Sequence, residues 1–192
     1  MATGVKFDFD AEKSAAAIVF LAAQGIPDLT KGKICKLIFL ADKHHLVRFG
    51  RTVSGDRICA MQNGPVPSAI LNILNSILSG LSSLQGVSLN RAFRNPHFEA
   101  ERFDRGDFLS ESDLEALSSV SETYGKKTFS ELWRLTHDMP AYKNAWADKP
   151  DSSNPMAFED FFEEDDEALT GAFEEMIENF KLREAFPIAA SA

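Results

Sequence analysis

With 192 residues, 44% of them hydrophobic and 26% charged, the chain has enough apolar material for one domain, or a domain with an appendage. Its longest unbroken apolar run, Ala15 to Ala23, falls far short of the ~20 residues a membrane-spanning helix needs, and Asp8, Asp10 and Glu12 give the segment before it the wrong sign for a secretory leader. A cytoplasmic protein without a membrane partner is expected, with Cys35 and Cys59 as reduced thiols.

The net charge of -9 argues against a general nucleic-acid binder, which wants a basic surface to displace counterions from phosphates. That charge divides unevenly. Residues 1–97 hold 11 Lys and Arg against 6 Asp and Glu, whereas residues 98–192 hold 9 against 23. Such a dipolar distribution steers association with partners.

In chain order, a first helix is predicted after Asp10, with Ala15, Ile18, Val19 and Ala22 in helical period and a stop at Gly25 and Pro27. Thr30 is placed to cap a second helix that runs to Phe49, with Gly50 just past its end, and its nearly all-round apolar middle marks a central, buried element. Ser54-Gly55-Asp56 is turn chemistry, Ile58 to Met61 reads as a short strand, and Pro65 and Pro67 bracket a rigid bend. A third helix is predicted from Pro67 with a face from Ile70 to Leu81. Phe98 to Phe103 is the expected strand partner of Ile58 to Met61.

Ser110 followed by Asp113 opens a fourth helix containing Leu114, Leu117, Val120 and Tyr124. Thr128 and Glu131 form a capping box for a fifth, whose inward face is expected to be Phe129, Leu132, Trp133 and Thr136, and which Pro140 ends. Residues 148–155 read as a loop. A last helix carries Leu169, Ala172, Phe173, Met176, Ile177 and Phe180 in period, with acids at 165–167 near its start. The fold class expected is mainly α: a compact helical domain over 1–147 with a small two- or three-stranded antiparallel β element. Residues 148–192 are expected to add a loop and an acidic C-terminal helix that packs on the domain or extends it.

Signals for chemistry are sparse. His44, His45, Cys35 and Cys59 lack zinc spacing, because adjacent helical histidines point about 100° apart. No metal or cofactor is expected. No G-x-S-x-G, phosphate-binding loop or dinucleotide fingerprint is present. Asp42 and His45 lie one turn apart, as an acid/base pair would, but a solvated helix face gives the same letters, and no catalytic residue is assigned.

The basic residues Lys31, Lys33, Lys36, Lys43, Arg48, Arg51 and Arg57 are read first as the solvated side of the central helix and the turn after it. They lack the short second helix of a helix-turn-helix reader, and a protein partner with an acidic face suits them equally well. Phe158, Phe161 and Phe162 lie among a run of acids that either folds back on the core or docks a basic partner.

At the central segment the motifs become specific. Lys36-Leu37-Ile38-Phe39-Leu40-Ala41-Asp42, Gly50-Arg51, Gly55-Asp56 and Gly64-Pro65-Val66-Pro67 occur in this order. They are followed by Leu109 to Asp113, Tyr124-Gly125, and Trp133-x-x-x-His137-x-x-Pro140-Ala141-Tyr142. This constellation resembles the Panacea domain of SocA-like, phage-associated antitoxins, from about Ala15 to Trp146.

The resemblance implies an antitoxin of a two-gene module in a bacterium or prophage, one that neutralises a cognate toxin by binding it directly. In that family the domain often stands where other antitoxins carry a DNA-binding module. The alternative is a DNA-binding regulator of a prophage or toxin–antitoxin operon that reads phosphate with the Lys31 to Arg57 basic face. Lys43, Arg48, Arg51, Asp56, Phe161, Phe162 and Glu163 are assigned to the partner surface. Asp42, Gly50, Gly55, Gly64, Pro65, Pro67 and Trp133 are assigned to the scaffold. The small, uncharged end Ile188 to Ala192 resembles the tags that ATP-dependent proteases engage, which makes such a protease an expected second partner.

Overall fold

A computed structural model describes residues 4–104, 108–147, 153–162 and 167–185. The fold is mainly α, as expected, with seven helices among the described residues and two small antiparallel sheets. Helix α1 (Ala11–Ala23) starts where Asp10 accepts a hydrogen bond from the Lys13 amide at 2.9 Å. Helix α2 (Lys31–Phe49) ends at Gly50, which adopts the left-handed conformation and donates its N–H to the Leu46 carbonyl. Thr30 precedes α2 in extended conformation but makes no side-chain cap. Ile34, Leu37, Ile38, Phe39 and Ala41 of α2 are fully enclosed, as its all-round apolar pattern requires.

After α2 the chain forms β1 (Ile58–Met61) and β2 (Gly64–Pro67), an antiparallel hairpin closed by Gln62 and Asn63 and paired from Ile58↔Pro67 to Met61↔Gly64. The two prolines are therefore strand residues. They are tolerated because β2 is an edge strand, where a missing N–H breaks no ladder. Helix α3 (Ser68–Leu78) follows with Pro67 as its N-cap. It stops a turn earlier than its pattern predicts, leaving Leu81 exposed.

The expected pairing of Ile58–Met61 with Phe98–Phe103 does not form. Strands β3 (Val87–Asn90) and β4 (His97–Ala100) pair with each other, Leu89 opposite Phe98. The free edge of β1 is taken instead by β5 (Asn154–Pro155), inside the stretch expected to be loop. With β2 on one side and β5 on the other, β1 has no edge left to offer.

Helices α4 (Glu111–Tyr124) and α5 (Phe129–His137) both begin with capping boxes, Ser110 with Asp113 and Thr128 with Glu131. Pro140 opens a further helix, α6 (Pro140–Ala147), that the sequence pattern did not announce. The turn Phe158–Phe161 folds inward: Phe161 meets Phe39 edge-on at 5.6 Å, and Phe158 meets Phe7 at 5.0 Å. Helix α7 (Glu167–Ala185) sets Met176 against Gly50, while Phe173 packs edge-on with Phe162. No helix among the described residues is long and apolar enough to cross a membrane.

Candidate functional site

The middle of helix α2 is enclosed, so the polar side chains there must find partners inside the protein. Lys33, Lys36, Asp42 and His45 are all enclosed. This corrects the solvated-face reading for Lys33 and Lys36, whereas Arg48 and Arg57 are exposed as that reading expected. Lys33 Nζ donates to the Pro27 carbonyl at 2.6 Å and Lys36 Nζ to the Pro65 carbonyl at 3.0 Å. Both terminal nitrogens thus find backbone oxygens inside the protein in place of water. Burial lowers the Lys33 pKa and brings that of Lys36 down to about 7.

Three polar networks grow from this helix. In the first, Asp42 accepts hydrogen bonds from the Ser54 amide at 2.8 Å and the Ser54 hydroxyl at 2.6 Å. Ser54 Oγ in turn accepts from the Asp56 amide, and the Asp56 carboxylate accepts from the amides of Ala69 and Ile70. The relay thus runs from α2 through the turn to the start of α3, where it satisfies two otherwise orphaned N–H groups. Burial raises the Asp42 pKa to about 7 against these hydrogen bonds, and raises that of Asp56 as well.

The second network centres on Asp113. It ion-pairs with Lys13 at 2.9 Å and Arg51 at 3.1 Å, and completes the Ser110 capping box. Burial would raise its pKa, but the hydrogen bonds from Ser110 and Lys13 hold it below the usual carboxylate range. His45 lies at the edge of this network, Nδ1 on the Arg51 carbonyl at 2.7 Å and Nε2 on Ser112 Oγ at 3.0 Å, and burial brings its pKa down to about 4. A neutral ring satisfies both contacts, donating through Nδ1 and accepting at Nε2. Asp42 and His45 therefore belong to different networks and form no acid/base pair.

The third network joins the β1–β2 hairpin to α5 and α6. Trp133, His137, Tyr142 and Trp146 form a ladder of rings, with centroids 3.7, 4.4 and 5.9 Å apart in turn. The Tyr142 hydroxyl donates to the Met61 carbonyl, and the ring nitrogens of His137 face the carbonyls of Trp133 and Gln62. A side chain at Gly64 would collide with Lys36 Nζ and the His137 ring, so glycine is required where hairpin, lysine and histidine converge. Trp133 is not on the inward face of α5. It is 37% exposed and Phe129 39%, whereas Leu132 and Thr136 are enclosed.

Outside these networks, α2 and α4 leave a groove of about 400 Å³ whose lining includes Met139. Lys43 and Arg48 line it, together with His44. The other residues assigned to a partner surface lie elsewhere. Asp56 and Phe161 are enclosed and offer no surface, Arg51 is bound to Asp113, Phe162 is half-buried on Phe173, and Glu163 lies outside the described residues. Residues 188–192, the expected protease tag, and the acids at 163–166 also lie outside them.

Cys35 is enclosed in the core, where burial pushes its thiol up to about 12. Among the described residues no cluster of three or more His, Cys, Asp or Glu is placed to hold a metal ion. Sequence reasoning missed Lys36 and His137 as meeting points and Lys13 as a partner of Asp113, since no spacing rule links residues so far apart in the chain.

Comparison with curated proteins and with solved structures gives no match. The family model described as antitoxin SocA-like, Panacea domain, matches residues 34–146, from the second turn of α2 nearly to the end of α6. This span, more than half the chain, contains Lys36, Asp42, Ser54, Asp56, Gly64, Asp113 and His137, so that parts of all three networks lie within it. The chain belongs to the SocA-like antitoxin family, by its Panacea domain.

Proposed function

We propose that the protein is the antitoxin of a toxin–antitoxin pair and neutralises its toxin by direct binding and occlusion, without chemistry of its own. The observation that carries this reading is the family match over residues 34–146. The geometry supports it. Three enclosed carboxylates of the family segment are spent on holding turns and helix starts: Asp42 on Ser54, Asp56 on α3, and Asp113 on Lys13, Arg51 and its own helix cap. Such groups build a rigid support for a surface. The interior placement of Lys33 and Lys36 also removes two of the cations on which a phosphate-reading face depended.

Co-expression of the reading frame next to this one in its genome, with and without the protein, tests the proposal. Growth arrest by the neighbour alone, rescue by the pair, and co-purification of the two chains are expected. Rescue without any complex, or a neighbour that is harmless by itself, overturns it.

A further inference from the structure

We propose that His137 is a proton-operated latch between the β1–β2 turn and α5, and that the charge on Lys36 sets the pH at which it closes. Nothing in this latch depends on the antitoxin reading. His137 Nδ1 lies 2.7 Å from the Trp133 carbonyl, and Nε2 lies 3.3 Å from the Gln62 carbonyl. Both partners can only accept a hydrogen bond. A neutral imidazole has one N–H, so in either tautomer it bonds one carbonyl and turns a lone pair towards the other, whereas the imidazolium donates to both. The shorter contact, within α5, takes the one hydrogen of the neutral ring. The proton that arrives next goes to Nε2 and joins the helix to the turn.

The surroundings of the ring decide how readily that proton is taken up. The Trp133 indole is stacked on it at 3.7 Å and the Tyr142 ring is tilted against it at 4.4 Å, and aromatic faces favour a cation. From α2, Lys36 opposes one. Lys36 Nζ and His137 Cε1 both lie less than 3 Å from the point where a Gly64 side chain would begin, so the two groups face each other across the glycine. A charged Lys36 therefore makes a charged His137 costly. From α5 itself, Asp138 favours the imidazolium, but it is exposed and ion-paired with Lys143 of α6 at 3.3 Å. Tyr142 of α6 gives its hydroxyl hydrogen to the Met61 carbonyl, and the hairpin from Gln62 to Pro67 has no titratable side chain.

Burial, with the Lys36 charge added to it, holds the His137 pKa below the ordinary histidine value. Lys36 takes up its own proton near pH 7, before the ring does, so the latch closes only in acid. With the latch open, Tyr142 still holds the Met61 carbonyl at 3.0 Å. The part released is the exposed tip, Gln62 and Asn63.

The test follows the isotope-labelled full chain by NMR from about pH 4 to 8. It reads the ring nitrogens and Cε1–H of His137, and the amide nitrogen of Asn63, whose peptide group contains the Gln62 carbonyl. Nδ1 is expected to stay protonated throughout, Nε2 to gain its proton in acid, and the Asn63 nitrogen to shift with the same midpoint. Lys36→Met should raise that midpoint by about one pH unit or more. His137→Phe, which keeps a ring in the stack, should abolish the acid step at Asn63.

The unaltered chain gives a second reading that needs no variant to fold. Its His137 Cε1–H signal should show a smaller step at the midpoint of the Lys36 Cε–H signals, because each group senses the charge of the other. A His137 midpoint that Lys36→Met leaves in place, the absence of the smaller step, or an Asn63 signal that ignores the titration of the ring overturns the latch.

Discussion

Asp42 in α2 and Ser54, twelve residues on, hold each other through two hydrogen bonds in a fully enclosed position, the carboxylate accepting from both the amide and the hydroxyl of the serine. This pair fixes the path of the chain from the end of α2 to the β1–β2 hairpin, and through Asp56 it reaches the first turn of α3.

Removing the hydroxyl leaves a buried carboxylate and the Asp56 amide each short of a partner. Ser54→Ala is therefore expected to cost about 2–3 kcal/mol in urea unfolding. Asp42→Asn keeps one acceptor and removes the buried charge, so a loss within about 1 kcal/mol is expected. The pH dependence separates the two further. Because burial raises the Asp42 pKa to about 7, its contribution is full below the ordinary carboxylate range and is lost as pH rises towards 7. The asparagine variant should lack that decline and should still neutralise the toxin. If it stays folded and binds the toxin yet fails to rescue, occlusion is the wrong mechanism.

Lys36 shows the opposite sign. In the folded chain its amine is neutral above pH 7, while in the unfolded chain it binds a proton up to about 10.5. Unfolding thus takes up a proton in that window, and stability should rise with pH there by at most about 1.4 kcal/mol per unit. Lys36→Met should flatten this rise. An unchanged slope in chemical unfolding from pH 7 to 10 would mean that the ammonium is accommodated charged beside Pro65.

Gly55 and Gly80 both have positive φ, 67° and 77°, but they differ in what surrounds them. A methyl group on Gly55 would collide with the carbonyl of Asp8, whereas at Gly80 it meets open space. Gly80→Ala should cost about 1 kcal/mol, the backbone term alone. Gly55→Ala should cost clearly more and should speed tryptic cleavage after Lys6, because the N-terminal segment must lift away. Equal costs would show that the crossing at Asp8 is loose.

Asp113→Asn leaves the partly exposed Lys13 and Arg51 without their enclosed counter-charge, at an expected cost of about 1–2 kcal/mol, since solvent reaches both cations. The depressed carboxyl pKa places its stabilisation above the ordinary carboxylate range, to be lost as the pH falls through the folded value. Acid unfolding of the variant should therefore show a shallower limb. A parallel shift of the whole curve would assign the loss to packing instead of charge.

The sequence by itself determined most of the helices, because their signals lie within a few residues of one another. Asp10 with Lys13, Gly50 with Leu46, Ser110 with Asp113 and Thr128 with Glu131 are local bonds that the chain makes wherever it is placed. The motif order from Lys36 to Tyr142 likewise announced the family, although not why those residues are there. Only the tertiary structure decided which strand pairs with which. A four-residue strand specifies no partner, and β1 took β2 and β5 in place of β4 because they fill both of its edges. It also decided that Lys36 turns inward to Pro65 and that Trp133 turns partly outward. For long amphipathic side chains, the side that is wet depends on which distant elements cover the helix, and helical period alone carries no record of that cover.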